Sequence, residues 1–234
     1  MDGDKTVGEI DDLKRLLVTA CRVLSNQGLT DAFGHISVRL PGSDRFFIPA
    51  FTSLALVQES DLLILDLEGK VIEGDGVPNR EVYIHSECYR RRPDVRSVCH
   101  THSPMVKVFA SLAEPLKPIE NFASMFAPET PIYQRVGLIV NAELGREVAE
   151  SLGDHRAVLM RGHGSTVVGP NLKHAAVTAI YLEETARLTY RARCIGTPIC
   201  FTDEEVARLS EYVWKENNFN RAWDYYVGRL PRSK

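Results

Sequence analysis

Three things are missing from this sequence: paired cysteines, a long apolar run and an excess of one charge. Its five cysteines (Cys21, Cys88, Cys99, Cys194, Cys200) are odd in number and far apart, with no Cys-x-x-Cys. That argues against a disulfide framework. It predicts a reducing, cytoplasmic setting in which each cysteine is a small buried apolar residue. No stretch reaches the ~18 apolar residues of a membrane helix, and the opening MDGDKTVGEIDDLKRL is acidic and polar, so neither an anchor nor a signal peptide is expected. With 28 Lys+Arg against 31 Asp+Glu, the chain has no field that would hold nucleic acid or an anionic membrane surface. Pro/Gly/Ser-rich linkers, low-complexity tracts and repeats are absent as well. The expectation is one α/β domain over residues 1–234, long enough to bury a substantial core.

What is present is periodicity and seven histidines. Ile10, Leu13, Leu16, Leu17, Ala20, Val23 and Leu24 recur at helical spacing, predicting a helix over 8–27 that stops at Gly28. His35 to Leu40 and Arg45 to Pro49 flank the turn Pro41-Gly42-Ser43-Asp44 and read as a hairpin; Leu62 to Leu67 and Val71 to Ile72 read as a second. Asn79 is a candidate cap for a helix from Arg80, with Glu81 in its first turn and Arg92-Pro93-Asp94 at its end. A strand over Val95 to His102 follows, then helices over about 104–112 and 142–152. Ala157 to Met160 is a buried strand, and helices over His174 to Cys194 and Asp203 to Asn217 complete the pattern.

His100 and His102 stand at alternate strand positions, so both imidazoles face one side. A shared divalent cation would use both lone pairs; solvated or hydrogen-bonded histidines on a sheet edge fit the short motif as well. His163 lies between two glycines just after an apolar strand, where the backbone is free to aim a side chain over the strand ends. Three such histidines would leave coordination positions open to a substrate. Glu81 is the natural fourth partner, as ligand or as proton donor and acceptor, although a Glu at a helix start also serves the helix dipole. His85, one turn later, reads as a core or hydrogen-bonding histidine, and His155 and His174 as surface residues. His35, with Ser37 two positions on, either lines a pocket or is a satisfied turn histidine.

Taken together, GHISVR at 34–39, Glu81 with His85, RPDVRSVCHTHSP at 92–104 and RGHG at 161–164 resemble the class II aldolase/adducin family in order, spacing and context, over nearly the whole chain. The resemblance implies an α/β/α sandwich around a mainly antiparallel sheet, built as a homotetramer or larger assembly with active sites at subunit interfaces. It implies His100, His102 and His163 as ligands of a divalent metal and Glu81 as the acid/base. Three phosphate-holding places of the family's sugar-phosphate enzymes are altered. Gly34-His35 replaces Gly-Asn, Ala50-Phe51 replaces Thr-Gly, and Asn79-Arg80 replaces Ser-Ser. A bulky Phe51 where a glycine amide would approach an anion argues against a sugar phosphate in the usual pose; Arg80 and Phe51 suit a flat carboxylated ring.

The GHIS variant resembles the family branch of decarboxylases acting on hydroxylated aromatic dicarboxylates, and 3-hydroxy-2-methylpyridine-4,5-dicarboxylate of vitamin B6 degradation is the substrate expected. The ring hydroxyl and neighbouring carboxylate would chelate the metal, CO2 would leave, and Glu81 or His35 would return a proton. Arg80 would hold the remaining carboxylate, with Ser37 and Phe51 lining the pocket. Manganese (Mn2+) is favoured by the carboxylate-rich chemistry and the family branch, and zinc (Zn2+) by the imidazole-rich ligands. The alternatives are an aldolase for a small unphosphorylated hydroxy-carbonyl compound and a non-catalytic adducin-like interaction module. Intact His100, His102, His163 and Glu81 speak against the second. Trp214, Trp223, Tyr225 and Tyr226 near the C-terminus either pack a terminal helix or lend a tyrosine to a neighbouring subunit's site.

Overall fold

Backbone pairing in the computed structural model, which describes residues 2–231 and side chains from Gly8 onward, builds one sheet of eight strands. The first hairpin forms as expected, from β1 (His35–Arg39) and β2 (Phe46–Pro49), and the second from β3 (Leu62–Leu65) and β4 (Val71–Glu73). Downstream come β5 (Ser97–Thr101), β6 (Ile132–Tyr133), β7 (Ala157–Met160) and β8 (Gly164–Gly169). The spatial order is β4-β3-β2-β1-β5-β8-β7-β6, and among the described residues only the β6–β7 pair is parallel. β1, β5 and β8 therefore occupy the middle of the sheet.

Helices cover both faces. They are α1 (Asp2–Asn26), α2 (Val82–Arg91), α3 (Pro104–Leu112), α4 (Ala142–Leu152), α5 (Leu172–Ile195), α6 (Asp203–Val213) and α7 (Glu216–Gly228). One core joins Leu17, Leu24, Ile36, Cys99, Val106, Val167 and Val177; the other joins Phe46, Leu63, Ile84, Val98, Val148 and Val158. Neighbours along a strand fall into opposite cores, as in Val98 and Cys99 or Val167 and Val168. This is the two-residue period of a sheet buried on both sides. No helix among the described residues is long and apolar enough to cross a membrane.

Several boundaries differ from the sequence expectation. α2 begins at Val82, because the Asn79 side chain accepts the Glu81 amide (2.9 Å) and holds residues 79–81 in a turn outside the helix. β8 carries no predicted element: its six residues, Gly-Ser-Thr-Val-Val-Gly, are all buried, so no polar face marks a strand. The helix expected over 203–217 breaks at Trp214, where the Asn218 amide donates to the Tyr212 and Val213 carbonyls and closes α6. Cys21, Cys88 and Cys99 are buried, whereas Cys194 and Cys200 are exposed, at the end of α5 and beyond it, outside both cores. His174 is buried rather than on the surface; its ring stacks on Phe219 (centroids 3.7 Å) and its Nε2 lies 2.7 Å from the Glu216 carboxylate. In the C-terminal segment, Trp214, Trp223 and Tyr226 pack on the first core while Tyr225 stays exposed.

Candidate metal centre

Four side chains from three distant segments meet at one end of the central strands. His100 is on β5, and His102 lies one residue past its end. His163 sits in the turn between β7 and β8, and pairing of His100 with Thr166 and of Thr101 with Ser165 carries that turn to the same end of the sheet. Gly164 makes the approach feasible, since a Cβ there would stand 2.2 Å from the Thr101 carbonyl oxygen. The fourth residue, Glu81, precedes α2 and divides its carboxylate. Oε1 accepts the Ile139 amide at 2.9 Å, while Oε2 lies 3.6 Å from His163 Nε2 and 3.9 Å from His100 Nε2.

The donor atoms of Glu81, His100, His102 and His163 all fall within 4.8 Å of one another, and His100 Nε2 is 3.0 Å from His102 Nε2. Burial, reinforced by neighbouring imidazoles, pushes His100 well below the ordinary histidine value, and His102 is lowered for the same reasons. Burial works against charge on Glu81, but His163, His100 and the Ile139 amide outweigh it and bring the carboxyl down to about 2. Neutral imidazoles beside an ionised carboxylate are the protonation states a divalent cation requires. His163 Nε2 is buried without a hydrogen-bond partner among the described residues. By donor set and spacing, these residues fit a divalent metal.

A cavity of about 440 Å³ opens beside the cluster, bounded by Glu81, His102, His163, His35, Asn79 and Arg80 and by the apolar side chains of Phe33, Phe51 and Leu138. Phe51 and Arg80 are exposed at its rim. The Phe51 amide donates to the Val77 carbonyl at 2.8 Å and so is already engaged. His35 is buried and lines the cavity, with its Nδ1 2.5 Å from His85 Nε2. Ser37, expected to line the pocket, does not. It is fully buried behind His35, its hydroxyl 2.6 Å from His85 Nδ1 and 2.6 Å from the Tyr89 hydroxyl. Strand alternation explains the correction: His35 and Ser37 share a face of β1, but α2 packs over that face and encloses Ser37. Phe33, Leu138 and the Ile139 amide escaped sequence reasoning. The first two carry no polar atom, and a backbone amide leaves no mark in a sequence.

An α/β/α sandwich with three imidazoles and a carboxylate converging beside an open cavity is the arrangement of a class II aldolase-type domain. The family model "Class II Aldolase and Adducin N-terminal domain" matches residues 15–190, and the chain belongs to the class II aldolase/adducin family, whose aldolases use a divalent metal. It is 32% identical over 235 residues to a 3,4-dihydroxyphthalate decarboxylase of Arthrobacter keyseri, covering 93% of each chain. It is 32% identical to a 3-oxo-tetronate 4-phosphate decarboxylase of Haemophilus influenzae over 84% of this chain and 95% of that one. Among solved structures, L-fuculose 1-phosphate aldolase from Glaciozyma antarctica PI12 superposes with a TM-score of 0.84 at 26% identity, covering 96% of this chain and 90% of that one. Likeness over nearly the whole chain thus extends to a dihydroxyphthalate decarboxylase and to an aldolase, and these findings do not support the particular pyridine dicarboxylate enzyme expected from the sequence.

Proposed function

We propose that this protein is a cytoplasmic, single-domain, metal-dependent decarboxylase of a hydroxylated aromatic dicarboxylate, with 3,4-dihydroxyphthalate placed ahead of 3-hydroxy-2-methylpyridine-4,5-dicarboxylate. The observation that carries the reading is the cavity wall. Phe33, Phe51 and Leu138 offer a flat apolar slot, Arg80 a guanidinium at its rim, and the Phe51 amide is tied to Val77 instead of being free for a phosphate. The full-length relative from Arthrobacter keyseri supports the same substrate class.

Decarboxylation breaks the bond between ring carbon and carboxylate, releases CO2 and consumes one proton at that carbon. A divalent cation held by His100, His102, His163 and Glu81 would supply the Lewis acidity that draws off the developing charge. The chain's own residues do the rest. Phe33 and Phe51 flank the ring at the cavity rim, and Arg80 pairs with the carboxylate that stays. Glu81, anchored through Oε1 on Ile139, has Oε2 placed to hold or return a proton, and His35 is the second polar group facing the ring. Manganese is the metal proposed and zinc its competitor. Incubation of metal-supplemented protein with each diacid should release CO2 and yield the monocarboxylate by mass spectrometry. L-fuculose 1-phosphate is the contrast: its cleavage without CO2 from either diacid would overturn the reading in favour of an aldolase.

A further inference from the structure

Behind the cavity runs a buried chain of four groups. His35 Nδ1 meets His85 Nε2 (2.5 Å), His85 Nδ1 meets the Ser37 hydroxyl (2.6 Å), and Ser37 meets the Tyr89 hydroxyl (2.6 Å). None of these four residues is more than 3% exposed, and His35 Nε2 has no partner among the described residues. From these contacts we infer that Tyr89, Ser37 and His85 form a one-way hydrogen-bond chain that fixes His35 in its Nε2–H tautomer, so that it presents a donor to an anionic oxygen of the substrate.

The direction follows from counting protons. A phenol always carries one hydrogen, and among the described residues the Ser37 oxygen is the one acceptor found for it. Tyr89 then donates to Ser37, Ser37 to His85 Nδ1, and His85 Nε2–H to His35 Nδ1, which leaves the His35 proton on Nε2. Reversing the arrows would strand the buried Tyr89 hydrogen without an acceptor. His100 does not absorb the His35 donor either: it turns Nε2 toward His102, so as a neutral ligand it keeps its own proton on Nδ1. Nor is the chain suited to supply protons. Emptying it would leave a phenolate on Tyr89, and burial raises that phenol above its ordinary value despite the Arg39 guanidinium 5.0 Å from its ring. Tyr89, Ser37 and His85 are therefore positioning residues.

The tautomer stands on the geometry alone; that the accepted oxygen is a carboxylate or phenolate rests on the proposed decarboxylase reading. The test uses the full chain loaded with zinc and labelled with 15N-histidine, read by multiple-bond 1H–15N correlation and assigned with His35→Asn. His35 and His85 should both show protonated Nε2. Tyr89→Phe, which keeps the ring packed on Phe46, should mix the His35 tautomers and raise KM for 3,4-dihydroxyphthalate about tenfold, with kcat changed less. Ser37→Ala should do the same and Ser37→Thr should restore both readouts, while thermal unfolding confirms that each variant folds. An Nδ1–H His35 in the unmodified protein, or Tyr89→Phe with tautomer and KM unaltered, would overturn the inference. The expected tautomers in a protein that decarboxylates neither diacid would uphold the chain and remove the decarboxylase reading instead.

Discussion

A histidine that binds metal has to be neutral, and burial lowers His100 and His102 toward that state before any ion arrives. His102 is the sharpest single test, since its Nε2 is 3.0 Å from that of His100. His102→Ala should lower metal per chain, measured by plasma mass spectrometry, and cut activity on the order of 100-fold or more. Unchanged metal content would sink the proposed ligand set. The same burial makes the fold acid-sensitive. His85 is lowered from 6.5 to about 3 by burial, with Glu81 opposing. Between those values the unfolded chain binds the proton and the folded one does not, so stability is full above pH 6.5 and declines as pH falls toward 3. The slope is up to ~1.4 kcal/mol per pH unit for this residue. Glu81, lowered from 4.5 to about 2, acts in the same direction in its own window: its contribution is present above 4.5 and lost as pH falls through 2. Urea midpoints of chelator-treated protein at pH 7.5 and 5 should differ accordingly; equal midpoints would contradict it. Residue type and local motif exposed His100, His102, His163 and Glu81. They did not expose the roles of Ser37 or His174, whose partners lie 48 and 42 residues away in sequence.

At the scale of elements, the metal centre depends on how closely β8 lies against β5. Gly164→Ala would set a methyl 2.2 Å from the Thr101 carbonyl oxygen and 3.1 Å from the His102 ring, so strand or turn has to move. A loss of ~1–3 kcal/mol in urea unfolding is expected, together with weaker metal binding. Gly8→Ala is the control, because its Cβ meets nothing within 4 Å in α1 and should be neutral or slightly stabilising. If both variants lost equal stability, close strand approach would not be the cause. Elements with one polar face, such as α4, matched their predicted spans because amphipathic spacing records one-sided burial. β8, enclosed on both faces, and β6, only two residues long, left no such record.

At the scale of the whole molecule, the cavity rim is notable for what it leaves uncovered. Phe33 (54%), Phe51 (62%) and Leu138 (54%) are largely exposed beside the metal centre, together with Val136 and Val140 on the loop that carries Ile139. Such a patch fits the proposed homotetramer with interface active sites. Light scattering coupled to size-exclusion chromatography should give a mass near four chains, and Leu138→Asp should shift it toward smaller species. A monomer at micromolar concentration with full activity would refute that assembly. The arrangement of the four donors also has a temporal consequence. Glu81, His100 and His102 leave the ribosome well before His163, and the turn bearing His163 finds its place only once β8 has paired with β5. A nascent chain therefore offers the full donor set only after β8 has emerged and paired, so the proposed metal is expected to load after that step.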